Sequence, residues 1–567
     1  MKALGFNIEV TLEYSDLFNS ETNVQSLLSG VDRKFLMGCA SLFLSPKAKE
    51  EFSSPKNYFK NLFCKENQSF VAECAKKLEA LVKVRQGKVP EILNEYSSLK
   101  FCEEALKCEG SNSNISTVEK EQRVFKAYIL INENLNRKQD GINEQLEINY
   151  KGDDKIAWFL LLSSFHNQEI VNYDIYNVII AQIKKVILLF NFLKSQPQFE
   201  KHLETFLDNH SSNSSEEYLR KILPVLFGST CERKGFYSVT TEFEKDDEFL
   251  NNWAVSPVNE DFDFINIRTN PLYKIEEHEY RVLFPLFMIE SLYNGLYFKL
   301  NSINSGLDES FKIKNFRRIY TTGYSEKYLL YCVLKDLYGD RFIQHSGQEL
   351  DAEEVKGAPD YYIRYGNKVF LFECKDVLIE KKVKTSVDFL QLEKAIKEKF
   401  YKTSSSPKAI IQQVNCIEKL ISGEHNYDSK LNIKKAKFYP IIITHYRMYD
   451  CVGFNKILIE MFNAEIERRG IQNIKICSPT IVCIDDLINY KDFLKDKTAN
   501  LEDAIVSYSK YTTYKAKQSI SSESEAFNRL QSTYISFSKY LSLMYDGRMR
   551  KASTDELKKL LIDTLVV

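Results

Sequence analysis

Two carboxylates and a lysine lie on two short apolar runs that a two-residue turn can join. The first run is Pro359-Asp360-Tyr361-Tyr362-Ile363-Arg364-Tyr365, the turn is Gly366-Asn367, and the second run is Lys368-Val369-Phe370-Leu371-Phe372-Glu373-Cys374-Lys375. A Gly-Asn pair between strand-like segments is a hairpin signal. If Tyr365 pairs with Lys368, counting outward along both strands sets Asp360 opposite Glu373. Side chains alternate across a strand, so Glu373 and Lys375 share a face with Asp360, while Phe370, Phe372 and Cys374 point the other way. Directly opposed residues have Cβ atoms about 4.5–5.5 Å apart, and like charges there repel unless something positive sits between them.

A divalent cation meets that need. Magnesium takes oxygen ligands, usually one or two carboxylates with waters and substrate phosphate oxygens. Such an ion acidifies a water and polarises a scissile phosphate. A lysine one residue removed on the same face adds a point charge for the attacking water or the charge developing on phosphorus. The reaction class these residue types point to is phosphodiester hydrolysis.

With Pro359-Asp360 and Glu373-Cys374-Lys375, the segment resembles the PD-(D/E)xK nuclease superfamily, which includes many restriction endonucleases and recombination exonucleases. The resemblance covers roughly residues 320 to 490. It implies Asp360 and Glu373 as ligands of Mg2+ (or Mn2+) and Lys375 as the catalytic lysine. A bare Glu-x-Lys is weak by itself, since Glu354-Val355-Lys356 and Glu380-Lys381-Lys382 also occur, but neither of those ends an apolar strand. Members of the superfamily often carry a glutamic acid on the helix before the first strand, which falls on Glu326. Several branches place a glutamine on the helix after the catalytic strand. Gln413 lies on the apolar stripe Ile410, Val414, Ile417 and Ile421, which favours it over Gln412 and Gln391.

The elements around these residues follow a helix, three strands, helices and two further strands. Ser325 reads as the N-cap of a helix from Glu326 to about Leu337, stopped by Gly339. On that reading, Glu326 is also a first-turn acid favoured by the helix dipole. Arg341 to His345 reads as the first strand. Lys437 to His445 reads as a buried strand with Pro440 at its start or at a bulge. Ser386 to Phe400 and Asn455 to Arg469 read as helices, and Ile474 to Ile484 as the last strand. The expected fold class is α/β, a restriction-endonuclease-like mixed sheet flanked by helices and preceded by a large mainly α-helical region.

The 567 residues suffice for two to four domains. Residues 1–305 are expected to form the helical region, 306–495 the nuclease domain and 496–567 a helical tail that packs back on it. Loops are expected at Glu109 to Asn114, Asn209 to Ser215 and Ser519 to Ser524. The aromatic-rich stretch Tyr293 to Leu300 reads chiefly as core.

With 77 basic and 78 acidic residues the net charge is −1, so any nucleic-acid surface must be local. Residues 301 to 450 carry 25 Lys and Arg against 20 Asp and Glu. Arg317 and Arg318 before the first nuclease helix, and Lys381, Lys382 and Lys384 after the catalytic strand, are the candidate phosphate contacts; as a plain alternative they are solvated faces.

Twelve cysteines without a Cys-x-x-Cys pair read as reduced core residues, including Cys332, Cys416 and Cys477. The N-terminus lacks the apolar stretch of a signal peptide, and the apolar region Trp158 to Leu193, broken by His166, Glu169, Asp174, Lys184 and Lys185, reads as core helices and not as a membrane span. A cytoplasmic protein without a membrane partner is expected. The superfamily resemblance implies nucleic acid, chiefly DNA, as partner, and the large helical region, which carries no sequence-reading motif, is expected to engage a structure, an end, a protein partner or a second copy. Analogy with composite nuclease proteins implies a role in prokaryotic anti-phage defence. The competing class is a catalytically silent nuclease fold that serves as a scaffold or nucleic-acid-binding module, against which the intact Asp, Glu and Lys set argues.

Overall fold

The computed structural model describes residues 11–45, 48–52, 54–108, 115–149, 152–171, 173–231, 236–257, 261–495, 500–513, 532–545 and single helical positions between 555 and 562. The expectations for residues 1–9, 109–114 and 519–524 lie outside the described residues. The chain divides into two compact units. Apart from short terminal stretches, one comprises Ile142–Lys201 and Asn304–Leu560 and the other Asn7–Gly141 and His202–Ile303.

Nine strands occur among the described residues: β1 (Ser238–Thr240), β2 (Leu272–Glu276), β3 (Glu279–Val282), β4 (Ile343–Ser346), β5 (Tyr361–Tyr365), β6 (Lys368–Lys375), β7 (Lys437–Thr444), β8 (Lys475–Ile476) and β9 (Thr480–Cys483). The second unit is mainly helical, as expected, but it also holds a small antiparallel sheet of order β1-β3-β2. Helices Glu200–Asn209 and Ser215–Cys231 flank the loop expected at 209–215. In the aromatic-rich stretch, Tyr293, Leu296, Tyr297 and Leu300 are buried and Phe298 is exposed.

The first unit is built on a mixed six-stranded sheet of order β4-β5-β6-β7-β8, with β9 also on β7. Strands β4, β5 and β6 are antiparallel neighbours, and β7 runs parallel to β6, β8 and β9. The central strands are buried on both faces, which explains why Val369 to Phe372 and Ile441 to Ile443 read as continuous apolar runs. Phe370 stacks on Tyr439 across the β6–β7 pair with ring centroids 4.8 Å apart.

Four local expectations are corrected. The helix expected from Glu326 starts earlier, at Phe316. It runs as Phe316–Tyr320, a π-helical stretch Thr321–Leu330 and Tyr331–Tyr338, before Gly339 ends it as expected. Ser325 is therefore no N-cap; buried aromatic residues Phe316, Tyr320 and Tyr324 continue the apolar stripe upstream of it. Pro440 lies in mid-strand. On one side β7 pairs with β8 through Lys437 and Phe438 and with β9 only from Ile441, so the proline falls in the gap between the two pairings, where its missing N–H costs no ladder bond. The last strand is broken in two, because Ser478-Pro479 interrupts Ile474 to Ile484.

The domain boundary also moves. The edge expected at 305 falls beside Asn304, but Ile142–Lys201 belongs with the sheet. Trp158 meets Phe389 edge-on at 5.3 Å, Phe165 meets Tyr449 at 6.4 Å, and Tyr324 Oη donates to the Lys185 carbonyl at 2.8 Å. Helix Ile175–Ser195, at 21 residues, is long and apolar enough by length and composition to cross a membrane. It is mostly buried in this unit, and its Lys185 pairs with Asp485 at 2.7 Å. The tail packs back on the sheet unit as expected: Asn455 Nδ2 donates to Tyr508 Oη at 2.9 Å, and Gly453 N–H donates to the Tyr534 carbonyl at 2.8 Å. The cysteines whose side chains the structure describes are free.

Candidate active site at the end of the β5–β6 hairpin

The hairpin has the register read from the sequence. Tyr365 pairs with Lys368 and Tyr361 with Phe372, so Asp360 and Glu373 stand one step beyond the last ladder pair. Gly366 takes φ +58°, and Asn367 stays out of the left-handed region, as a type II′ turn requires. Asp360 has left the ladder, yet its Oδ2 accepts the Cys374 N–H at 2.6 Å and so continues the pairing with a side chain. Lys375 Nζ donates to Glu373 Oε1 at 2.6 Å, placing those two on the same face as expected. On the opposite face Cys374 Sγ lies 3.2 Å from His445 Nε2, beyond the end of β7.

Glu326 joins this group from the helix over the strand end. It lies inside the π-helical stretch and not in a first turn, so the helix dipole does not explain its presence. Burial pushes its carboxyl up to about 8, with Asp360 and Glu373 adding to the rise. Burial likewise lifts Glu373 to about 7, Asp360 adding and Lys375 opposing. Asp360 is raised by burial, against Lys375 and the Cys374 N–H. For Lys375 burial works against the charge, but Glu373 and Asp360 outweigh it and hold the ammonium above its ordinary value. Three acids thus crowd one lysine, and their charged forms are disfavoured as the chain stands.

The donor set fits a divalent cation chemically. Among the described residues the Glu326 carboxylate has no hydrogen bond or ion pair, and Asp360 Oδ1 and Glu373 Oε2 have no donor. Hard carboxylate oxygens that lack donors and repel one another suit Mg2+ or Mn2+. Among the described residues no three His, Cys, Asp or Glu side chains converge closely enough to hold an ion as they stand, and Glu373 is turned toward Lys375.

Two residues missed in the sequence position this group. Gly347, which follows β4, donates its N–H to the Asp360 carbonyl at 2.8 Å; a Cβ there would stand 3.0 Å from that oxygen and 3.2 Å from the Asp360 Cα. A side chain there would crowd the Asp360 backbone, which glycine lets lie this close. Asp376 follows Lys375 and points to the helix, accepting from Ser325 Oγ at 2.5 Å and from Arg317 Nη2 at 2.6 Å. No local pattern marks either one, because both depend on what the neighbouring element brings.

The remaining candidates separate. Gln413 is buried on helix Ala409–Ser422, as its apolar stripe implies, and its Nε2 donates to the Leu371 carbonyl at 3.0 Å and the Ile441 carbonyl at 3.2 Å. It clamps β6 to β7 two residues from Glu373, with its Oε1 buried and unpartnered. Gln391 is exposed and donates to Asp388, the N-cap of its own helix, away from this role. Gln412 leaves a buried, unpartnered Oε1. Lys384 is buried against Glu169 at 2.6 Å, and Arg317 is committed to Asp376, so neither presents a solvent-facing cation of the kind expected. Arg318, Lys381 and Lys382 are exposed.

No protein family, no curated protein and no solved structure matches this chain.

Proposed function

We propose that the chain is a metal-dependent nuclease of restriction-endonuclease-like fold that hydrolyses phosphodiester bonds, with DNA as substrate, and that the helical region controls when it cuts. The observation that carries the reading is the crowding of Glu326, Asp360 and Glu373 around Lys375 at one strand end. Buried repulsion of this kind destabilises a fold, and functional sites are where such perturbed acids concentrate. Asp360, Glu373 and Glu326 would hold the cation, which when bound supplies Lewis acidity toward a phosphate oxygen and acidifies a water.

The chain's own residues do the rest. Lys375, charged through neutral pH, neutralises negative charge that develops on the phosphate. Its bond to Glu373 keeps the ammonium on the acidic face and fixes its reach. The exposed Arg318, Lys381 and Lys382 offer phosphate contacts that hold a nucleic-acid backbone without reading bases. A nuclease loose in a cell endangers its host, which favours a trigger, partner or self-assembly and an effector role in anti-phage defence. Diffraction from crystals soaked in Mn2+ tests the reading: anomalous density between Asp360 and Glu373 is expected, and its absence at saturating metal favours a silent scaffold.

A further inference from the structure

Glu326 and the two strand acids come from different elements, so something must fix the helix against the end of β6. The connection runs through Asp376. Its Oδ2 accepts from Ser325 Oγ at 2.5 Å and its Oδ1 from Arg317 Nη2 at 2.6 Å, and that same nitrogen donates to the Asp376 carbonyl at 2.9 Å. Cys374 Sγ adds a weak contact to the Ser325 carbonyl at 3.8 Å. Asp376 is the residue after Lys375, and Ser325 is the residue before Glu326. One carboxylate therefore grips the helix at two points eight residues apart, on either side of the change from α to π winding.

Winding sets the direction of every side chain that follows, and a π-helical stretch gives up the ordinary i to i−4 bonds, so an external tie decides where it settles. Ser325 is fully buried, which leaves its hydroxyl no water to turn to. We propose that Ser325, Asp376 and Arg317 are positioning residues that set Glu326 against Asp360 and Glu373, and through it govern the affinity of the site for a divalent cation. This rests on the nuclease reading and extends it to residues that touch neither substrate nor cation.

Isothermal titration of the full-length protein with Mn2+, without nucleic acid, tests the inference. Ser325→Ala is expected to weaken Mn2+ binding about tenfold, the scale seen when residues that orient metal ligands are removed. In a Glu326→Gln background the same change should have less than about a twofold further effect, because its target is already gone. Arg317→Lys, which keeps the charge but loses the fork onto Asp376, is the second variant should Ser325→Ala fail to fold, and the same dependence on Glu326 is expected. In DNA cleavage kcat should fall at fixed Mn2+ while KM for DNA holds. Unchanged Mn2+ affinity in both variants, or an effect undiminished in the Glu326→Gln background, overturns the inference with the nuclease reading intact. A parent protein that takes up no Mn2+ overturns that reading and this inference with it.

Discussion

Lys375 has a partner in Glu373, and this changes what mutation of each acid does. Removing either of two opposed acids is expected from the sequence to relieve repulsion, but Glu373→Ala strands the Lys375 ammonium, and Asp360→Ala removes the acceptor of the Cys374 N–H. The relief falls instead to Glu326→Gln, which breaks no bond among the described residues and should raise the apo protein's thermal midpoint, whereas Glu373→Ala should not. Lys375→Met should lower kcat about a hundredfold and leave Mn2+ affinity nearly unchanged; a large loss of affinity in titration would make the lysine structural. The pH dependence follows from the same acids. Glu373, raised to about 7 in the fold, keeps its proton where the unfolded chain has released it, so its contribution to stability is greatest below about pH 4.5 and is lost as pH rises toward 7. Asp450 and Asp486, also raised by burial, act in the same direction. The difference between parent and Glu373→Gln in urea midpoints from pH 4.5 to 8 isolates the site: the parent should lose more stability, and parallel slopes would refute it.

At the scale of elements, the hairpin was legible because turn chemistry fixes register, and register carried Asp360, Glu373 and Lys375 to one place. Gln413 was legible as an inward-facing amide, since helical spacing alone put it on the buried stripe. What local pattern could not show is which element a residue answers to. Ser325 resembles a cap in sequence, but its hydroxyl belongs to Asp376; Lys384 belongs to a basic run, but its charge is spent on Glu169. The helix Gly152–Phe165 carries no mark of the sheet against which it buries Trp158 and Phe165. Gly347 shows the cost of such dependence: Gly347→Ala should displace the Asp360 backbone by a few tenths of an ångström, and active-site displacements of this order reduce rates severalfold or more. A rate equal to the parent's, measured at saturating metal, would show that Asp360 tolerates the shift.

For the whole molecule, Ile142–Lys201 groups with the sheet, so residues 306–567 hold only part of that unit. A 306–567 fragment loses Trp158, Leu161 and Phe165 from its core and should show no cooperative thermal transition, whatever the role of the helical unit; a sharp transition would contradict the packing described. Near-zero net charge confines nucleic-acid binding to local patches. Reversing the exposed Lys381 and Lys382 to Glu should reduce the slope of log affinity against log salt by roughly 0.9 for each phosphate that is no longer neutralised, without altering preference among sequences. An unchanged slope would mark both as a solvated face, and tighter binding to RNA than to DNA would reverse the substrate assignment. The central claim, that Asp360, Glu373, Glu326 and Lys375 form a metal-dependent hydrolytic site, is tested most directly by DNA cleavage across a Mn2+ titration, with the full-length parent beside Glu373→Ala and any required trigger supplied by phage-infected cell extract. Cleavage that rises with Mn2+ in the parent, is abolished by chelation and is absent in Glu373→Ala is the expected result; cleavage by Glu373→Ala at the parent's rate, or none by the parent at saturating metal, would contradict it.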